Sequence, residues 1–140
     1  MNTSDPIVPG ISAAGIRIGE PAPVPDTEVH APVERFNGIE KYVFEAVTVW
    51  ASHGHVDQIG LRAPYSGRLA FGIGIGSTIG EVERAFGPVT EDDDDNLVVR
   101  GSAGWCFETE DWAGGRSLGA NREARISEIF VFAPVLVGMS

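Results

Sequence analysis

The run Gly-Ile-Gly-Ile-Gly-Ser-Thr-Ile-Gly-Glu-Val-Glu-Arg-Ala-Phe-Gly-Pro, residues 72–88, constrains the fold more than any other stretch of this sequence. It reads as strand, turn and helix in succession. Leu69, Phe71, Ile73 and Ile75 alternate with small residues, as in a strand with one buried face. Thr78 and Glu81 have the spacing of a capping box, in which each side chain satisfies a backbone donor at the other position. Ile79, Val82 and Phe86 then share one helical face. Gly87 can take a left-handed cap and Pro88 cannot continue a helix. The pattern predicts one short helix over about 78–86, and no other stretch reads clearly as helix.

The remaining chain is patterned for strands. Residues 1–12 are polar with Pro and Gly, and read as a loosely ordered arm. Residues 15–19 form a short alternating strand. Four prolines between positions 20 and 33 exclude a regular helix or central strand there. Residues 42–50 are apolar on both faces, which predicts one central strand. Residues 52–55, Ser-His-Gly-His, read as a hairpin connection, followed by a strand over 56–62. The odd spacing of Val56 and Ile59 within it predicts a bulge or an irregular start to the strand. Residues 90–96 are too acidic to pack and read as a solvated loop. Strands are predicted over 97–100, 105–109 and 126–132, with an irregular glycine-bearing excursion at 111–123.

The two halves of the chain echo each other. Gly15-Ile-Arg-Ile-Gly19 matches Gly72-Ile-Gly-Ile-Gly76 at an offset of 57, which also places Trp50 on Phe107. Val56-Asp-Gln-Ile59 matches Ile126-Ser-Glu-Ile129 at an offset of 70, the difference falling in the 111–123 excursion. The expected architecture is α+β: a single domain over 1–140, its twisted antiparallel sheet built from two degenerate repeats, about 13–67 and 68–134, with one short capped helix packed on it. The Gly-Ile-x-Ile-Gly-Ser/Thr strand, the helix ending in Phe-Gly-Pro, and the strands Gly-Trp-Cys-Phe-Glu and Arg-Ile-Ser-Glu-Ile-Phe-Val-Phe resemble small bacterial immunity-type proteins. The layout is also similar to that of tandem-repeat beta-lactamase-inhibitor-type proteins and outer-membrane assembly lipoproteins. The motifs are structural, so no family site residue carries over. The immunity-type resemblance implies a cytosolic protein that binds and blocks a bacterial toxin.

Charge and chemistry narrow the function classes. The 140-residue chain carries a net charge of −10. Such a surface repels nucleic acid and anionic lipid and attracts basic partners, although it also serves plain solubility. No apolar run approaches membrane-spanning length, and the start Met-Asn-Thr-Ser-Asp-Pro has no signal-peptide pattern, so the expected location is the cytoplasm. Cys106 is the single cysteine, which excludes an internal disulfide. The glycines at 72–76 lack both the P-loop ending and the dinucleotide spacing, and serve close strand-to-helix packing. The acidic run lacks the glycine and terminal glutamate of a calcium loop. Cys106 has no diagnostic histidine partner and no nucleophile elbow is present. No catalytic residue, metal ligand or cofactor is expected.

Three readings remain. The first is a non-enzymatic immunity protein that occludes a basic toxin domain. Its contacts are expected at Glu91, Asp92, Asp93, Asp94, Asp95, Glu108, Glu110 and Asp111, with Trp112 and Tyr65 as aromatic anchors. The alternative is a small metal- or ligand-binding domain or enzyme using the His53/His55 turn with Asp57. An accessory subunit of an acidic housekeeping complex is a third, blander reading.

Overall fold

The structure is a computed structural model, and it describes residues 2–22, 33–92, 96–110 and 122–134. It contains a two-stranded ribbon of β1 (Ser12–Ala13) and β2 (Ile16–Arg17). A twisted eight-stranded antiparallel sheet follows: β3 (Glu34–Phe36), β4 (Ile39–Val43), β5 (Val47–Ser52), β6 (His55–Arg62), β7 (Val89–Glu91), β8 (Leu97–Val99), β9 (Trp105–Thr109) and β10 (Ile126–Phe132). The spatial order is β3-β4-β5-β6-β10-β9-β8-β7. Two four-stranded meanders therefore meet edge to edge at the β6–β10 seam. β5 and β9 hold equivalent places about that seam, as do β6 and β10, and these are the pairs that the sequence match aligned.

The helix forms as its capping pattern predicts. α1 spans Ile79–Phe86, with Thr78 accepting from the Glu81 N–H and Glu81 accepting from the Thr78 N–H. Gly87 ends it at a φ of 112°. Ile79 and Val82 are buried in the same core as Val47, Val49, Ile59, Leu61, Phe107, Ile129 and Val131. The start of the helix is tied to the entry of β10: the Ile79 N–H bonds to the Ala124 carbonyl, and the Ile126 N–H bonds to the Ser77 carbonyl. An Arg122–Glu83 ion pair adds to this junction.

Four expectations are corrected. Residues 42–50 are two strands, because the chain turns between Phe44, whose N–H bonds to the Val47 carbonyl at 2.7 Å, and Val47. Glu45 and Ala46 carry no turn signal, so an uninterrupted apolar run concealed the hairpin. Residues 68–75 are not a strand. Leu69 and Ile73 are buried on either side of a short 3-10 turn at Ala70–Gly72, and Phe71 points out, 77% exposed, at a φ of 61°. The 90–96 loop begins inside β7, which pairs with β8 through Thr90↔Val98 and Glu91↔Leu97.

The fourth correction concerns residues 1–12, of which 2–12 are described. They are not loose. Ile7 is buried, its N–H bonds to the Arg68 carbonyl, and the Ser66 N–H bonds to the Thr3 carbonyl. A single buried apolar side chain in a polar run is too small a signal to read as an anchor.

Other details agree with the sequence pattern. His53 and Gly54 both have positive φ, 51° and 84°, as a two-residue type I′ hairpin loop requires. The β5–β6 register places Trp50 opposite Gln58 and Ala51 opposite Val56, so Asp57 is the extra residue of a bulge. That bulge is why Val56 and Ile59, three apart, are both buried. The β3–β4 hairpin turns on Asn37-Gly38, the Asn-Gly dipeptide favoured in two-residue hairpin loops.

Candidate binding surface

Strand register decides which side chains share a face of the sheet. One face carries Val47, Val49, Ile59, Leu61, Phe107, Ile129 and Val131, each buried in the core. The alternating residues form rows on the opposite face. Lys41, Trp50, Gln58 and Phe132 are in register across β4, β5, β6 and β10. Next comes the row Val43, Thr48, Gly60, Phe130 and Cys106. The last row is Arg62, Glu128 and Glu108, across β6, β10 and β9. Trp50, Phe130, Phe132, Glu108 and Glu128 are each only partly buried, so this face remains open to solvent.

The open face has an aromatic strip and a hollow. The Trp50 and Phe130 rings meet at a centroid distance of 6.2 Å, tilted by 51°. The Lys41 ammonium sits 5.9 Å from the Trp50 ring centroid, a cation–π contact at an exposed site. Gly60 lies beneath the strip. A Cβ there would come within 3.0 Å of the Trp50 ring and 3.2 Å of the Glu128 carboxylate, so only glycine lets both side chains lie across β6 at this depth. Beside the strip is a hollow of about 440 Å³ lined by Gln58, Asp92, Asn96, Glu108, Phe130 and Phe132. The buried Cys106 completes its lining, which thus combines two phenylalanine rings with the Asp92 and Glu108 side chains.

Like charges are neighbours on this face. Glu128 stands directly opposite Glu108 across β9 and β10. Burial pushes the Glu128 carboxyl above the usual range and the facing Glu108 charge adds to it, while Arg62 and Lys41 pull the other way. Like charges placed opposite each other across strands are destabilising.

The structure distributes the sequence-predicted contacts unevenly. Asp92 and Glu108 come together at the hollow. Asp92 also shapes its own turn, accepting from the Asn96 N–H at 3.0 Å. Glu91 and Glu110 are exposed but do not line the hollow. Asp93, Asp94, Asp95, Asp111 and Trp112 lie outside the described residues. Tyr65 is corrected from an aromatic anchor to a structural residue. It is 4% exposed, and its hydroxyl donates to the Asp5 carbonyl and accepts from the Ala14 N–H.

The alternative centre is a pair of ring systems at a hairpin. His53 and His55 are exposed, and the His53 ring packs over Gly38. Among the described residues no group of three or more His, Cys, Asp and Glu side chains is placed to hold a metal ion.

Sequence reasoning missed Trp50, Phe130, Phe132 and Glu128 as surface residues. One signal was present: Glu128 sits on the same strand face as two phenylalanines, an acid within an otherwise apolar alternation. The bulge in the β9–β10 pairing between Ile126 and Glu128 moves Ile126 to the core face and leaves Glu128 outside, which a strict period of two does not predict.

No helix of the described residues is long and apolar enough to cross a membrane. No protein-family model and no curated protein matches the sequence. Among solved structures, the chain is similar to the uncharacterized protein YfeY from Escherichia coli. The two share 16% identity and a TM-score of 0.53, over 71% of this chain and 78% of that one. At that identity the likeness shows the fold alone.

Proposed function

We propose that this protein is a non-enzymatic immunity protein that acts in the bacterial cytoplasm by binding and occluding a basic toxin domain. The observation that carries the reading is the hollow on the open sheet face, which Asp92 and Glu108 line together with Phe130 and Phe132, in a chain of net charge −10. Long-range attraction to a basic partner speeds encounter, and aromatic contact slows release. Glu91 and Glu110, both exposed, contribute to the attraction. No catalytic step, cofactor, nucleic acid or membrane enters this mechanism. Occlusion of the toxin is sufficient.

The test is affinity capture from the source lysate, with elution by a salt gradient and identification of what elutes. A single basic protein released at moderate to high salt, whose toxic activity in a purified assay is then blocked by this protein at equimolar ratio, is the expected result. Capture of no basic protein, or of one whose activity is unaffected, would overturn the reading.

A further inference from the structure

Phe71 stands where its side chain serves the fold least. Its backbone is at φ 61° and ψ 17°, in the left-handed region, where a bulky residue is strained and glycine or asparagine is not. The ring is 77% exposed, so core burial does not offset that strain. The ring is nonetheless held. It meets Phe86 edge-on at a centroid distance of 5.6 Å, Phe86 meets Trp105 at 5.7 Å, and Trp105 stacks on the buried Phe107. The turn beneath is closed by the Leu69 N–H, which donates to the Ile73 carbonyl at 2.7 Å. Arg68 crosses Gly74 and donates to the Gly72 carbonyl at 2.8 Å, which fixes its guanidinium within the same turn. Among the described residues Arg68 has no carboxylate partner. The turn therefore presents a rigid knob of one phenyl ring and one cation.

The hollow on the open face has the complementary make-up. Phe130 and Phe132 line it together with Asp92 and Glu108, and its volume is about 440 Å³. A cavity of about 150 Å³ is already enough to hold a benzene ring. Phe71 reaches the sheet through Trp105, on the core face of β9, whereas Glu108 and Phe130 belong to the opposite face. Knob and hollow thus lie on opposite sides of the sheet, and no copy fills its own hollow.

We propose that this protein self-associates head to tail, the Phe71 ring of one copy entering the hollow of the next and its Arg68 pairing with the Asp92 and Glu108 carboxylates there. The contact joins two different patches of one chain, so it is heterologous and propagates into a ring or a filament. The basic knob and the acidic hollow set its orientation. At physiological ionic strength the general repulsion between chains of net charge −10 is screened beyond about 8 Å, while the close charge contacts persist. One ring and one cation make a small interface, so the association is weak and reversible. The inference goes beyond the immunity reading and does not rest on it; a toxin domain seated in the hollow would exclude the neighbouring copy.

The test is analytical ultracentrifugation of the full chain at physiological salt, over a concentration series into the millimolar range. The average mass should rise with concentration and pass that of a dimer. Phe71→Asn keeps the left-handed turn and removes the ring, and Glu108→Arg sets a cation in the hollow against Arg68. Each variant, checked for a dispersed nuclear magnetic resonance spectrum, should associate at least about tenfold more weakly than the parent. An equimolar mixture of the two should form dimers and stop there, because the first variant keeps an intact hollow and the second an intact knob. A parent chain that stays monomeric, a Phe71→Asn variant that associates as well as the parent, or a mixture that stays monomeric where the parent associates would each overturn the proposal. The two readings fail separately. A monomeric chain that captures and blocks a basic toxin leaves the immunity reading standing, and an assembling chain that captures none leaves the head-to-tail contact standing.

Discussion

Replacing Tyr65 by phenylalanine removes one oxygen and little else. In the folded protein that hydroxyl donates to the Asp5 carbonyl at 2.6 Å and accepts the Ala14 N–H at 2.8 Å. Ala14 is 3% exposed, so its N–H has no ready access to water once the oxygen is gone. A buried donor left unpaired and one further lost hydrogen bond together cost about 2–3 kcal/mol. At this chain length that lowers Tm by on the order of 8–12 °C. Urea unfolding followed by tryptophan fluorescence should show a lower midpoint at unchanged m. A loss below about 0.5 kcal/mol would refute the inference that this hydroxyl fastens residues 2–14 to the domain. The pH dependence supplies a second check. Burial raises the Tyr65 pKa, the Ala14 N–H opposes it, and the nearby Asp5 charge adds to it. The unfolded chain then ionises first, so the native protein loses stability as pH rises from the ordinary tyrosine value through the folded one. The phenylalanine variant has no such loss, and the gap between the two proteins should narrow in alkali.

Three further outcomes follow from single contacts. Thr78→Ala should destabilise the protein by about 1 kcal/mol in thermal or urea unfolding, because it removes the acceptor for the Glu81 N–H. Hydrogen bonds from the Thr78 backbone and side chain hold the Glu81 carboxyl below the usual range. That support is present above the ordinary glutamate value and is lost as pH falls through the folded pKa; the variant removes the side-chain part and keeps the larger backbone part, so the acid limb of its stability curve should flatten only in part. Gly67→Ala should cost about 3 kcal/mol or prevent folding, since its Cβ would lie 1.9 Å from the Asp5 carbonyl oxygen, and soluble yield with urea unfolding reads this directly. Glu128→Gln should stabilise the protein at neutral pH by a few tenths to about 1 kcal/mol, because it removes one of two opposed charges. The raised pKa means that native stability falls as pH rises from the ordinary glutamate value through the folded one. The gain should therefore vanish below that window, and a gain that persists in acid would point to packing instead.

The elements legible along the chain are those whose signals are short-range. The capping box at Thr78 and Glu81, the stop at Gly87, the His53-Gly54 hairpin and the strands Trp105–Thr109 and Ile126–Phe132 are all written within a few residues. Backbone capping, positive φ and side-chain alternation are local physics, so they read directly. The α+β class followed from the same signals. What tertiary structure decided is which strands are neighbours and which face each residue occupies. The turn at Glu45 and Ala46 reverses the chain without a turn residue, and so it reassigns the faces of Val47 through Trp50. Tyr65 looked like a surface aromatic because its partners, Asp5 and Ala14, are more than fifty residues away in sequence. The open face depends on pairing across β6, β10 and β9, and on the bulge that separates Ile126 from Glu128. A one-residue shift of register would bury Glu128 and expose Ile129, and only the assembled sheet fixes that register.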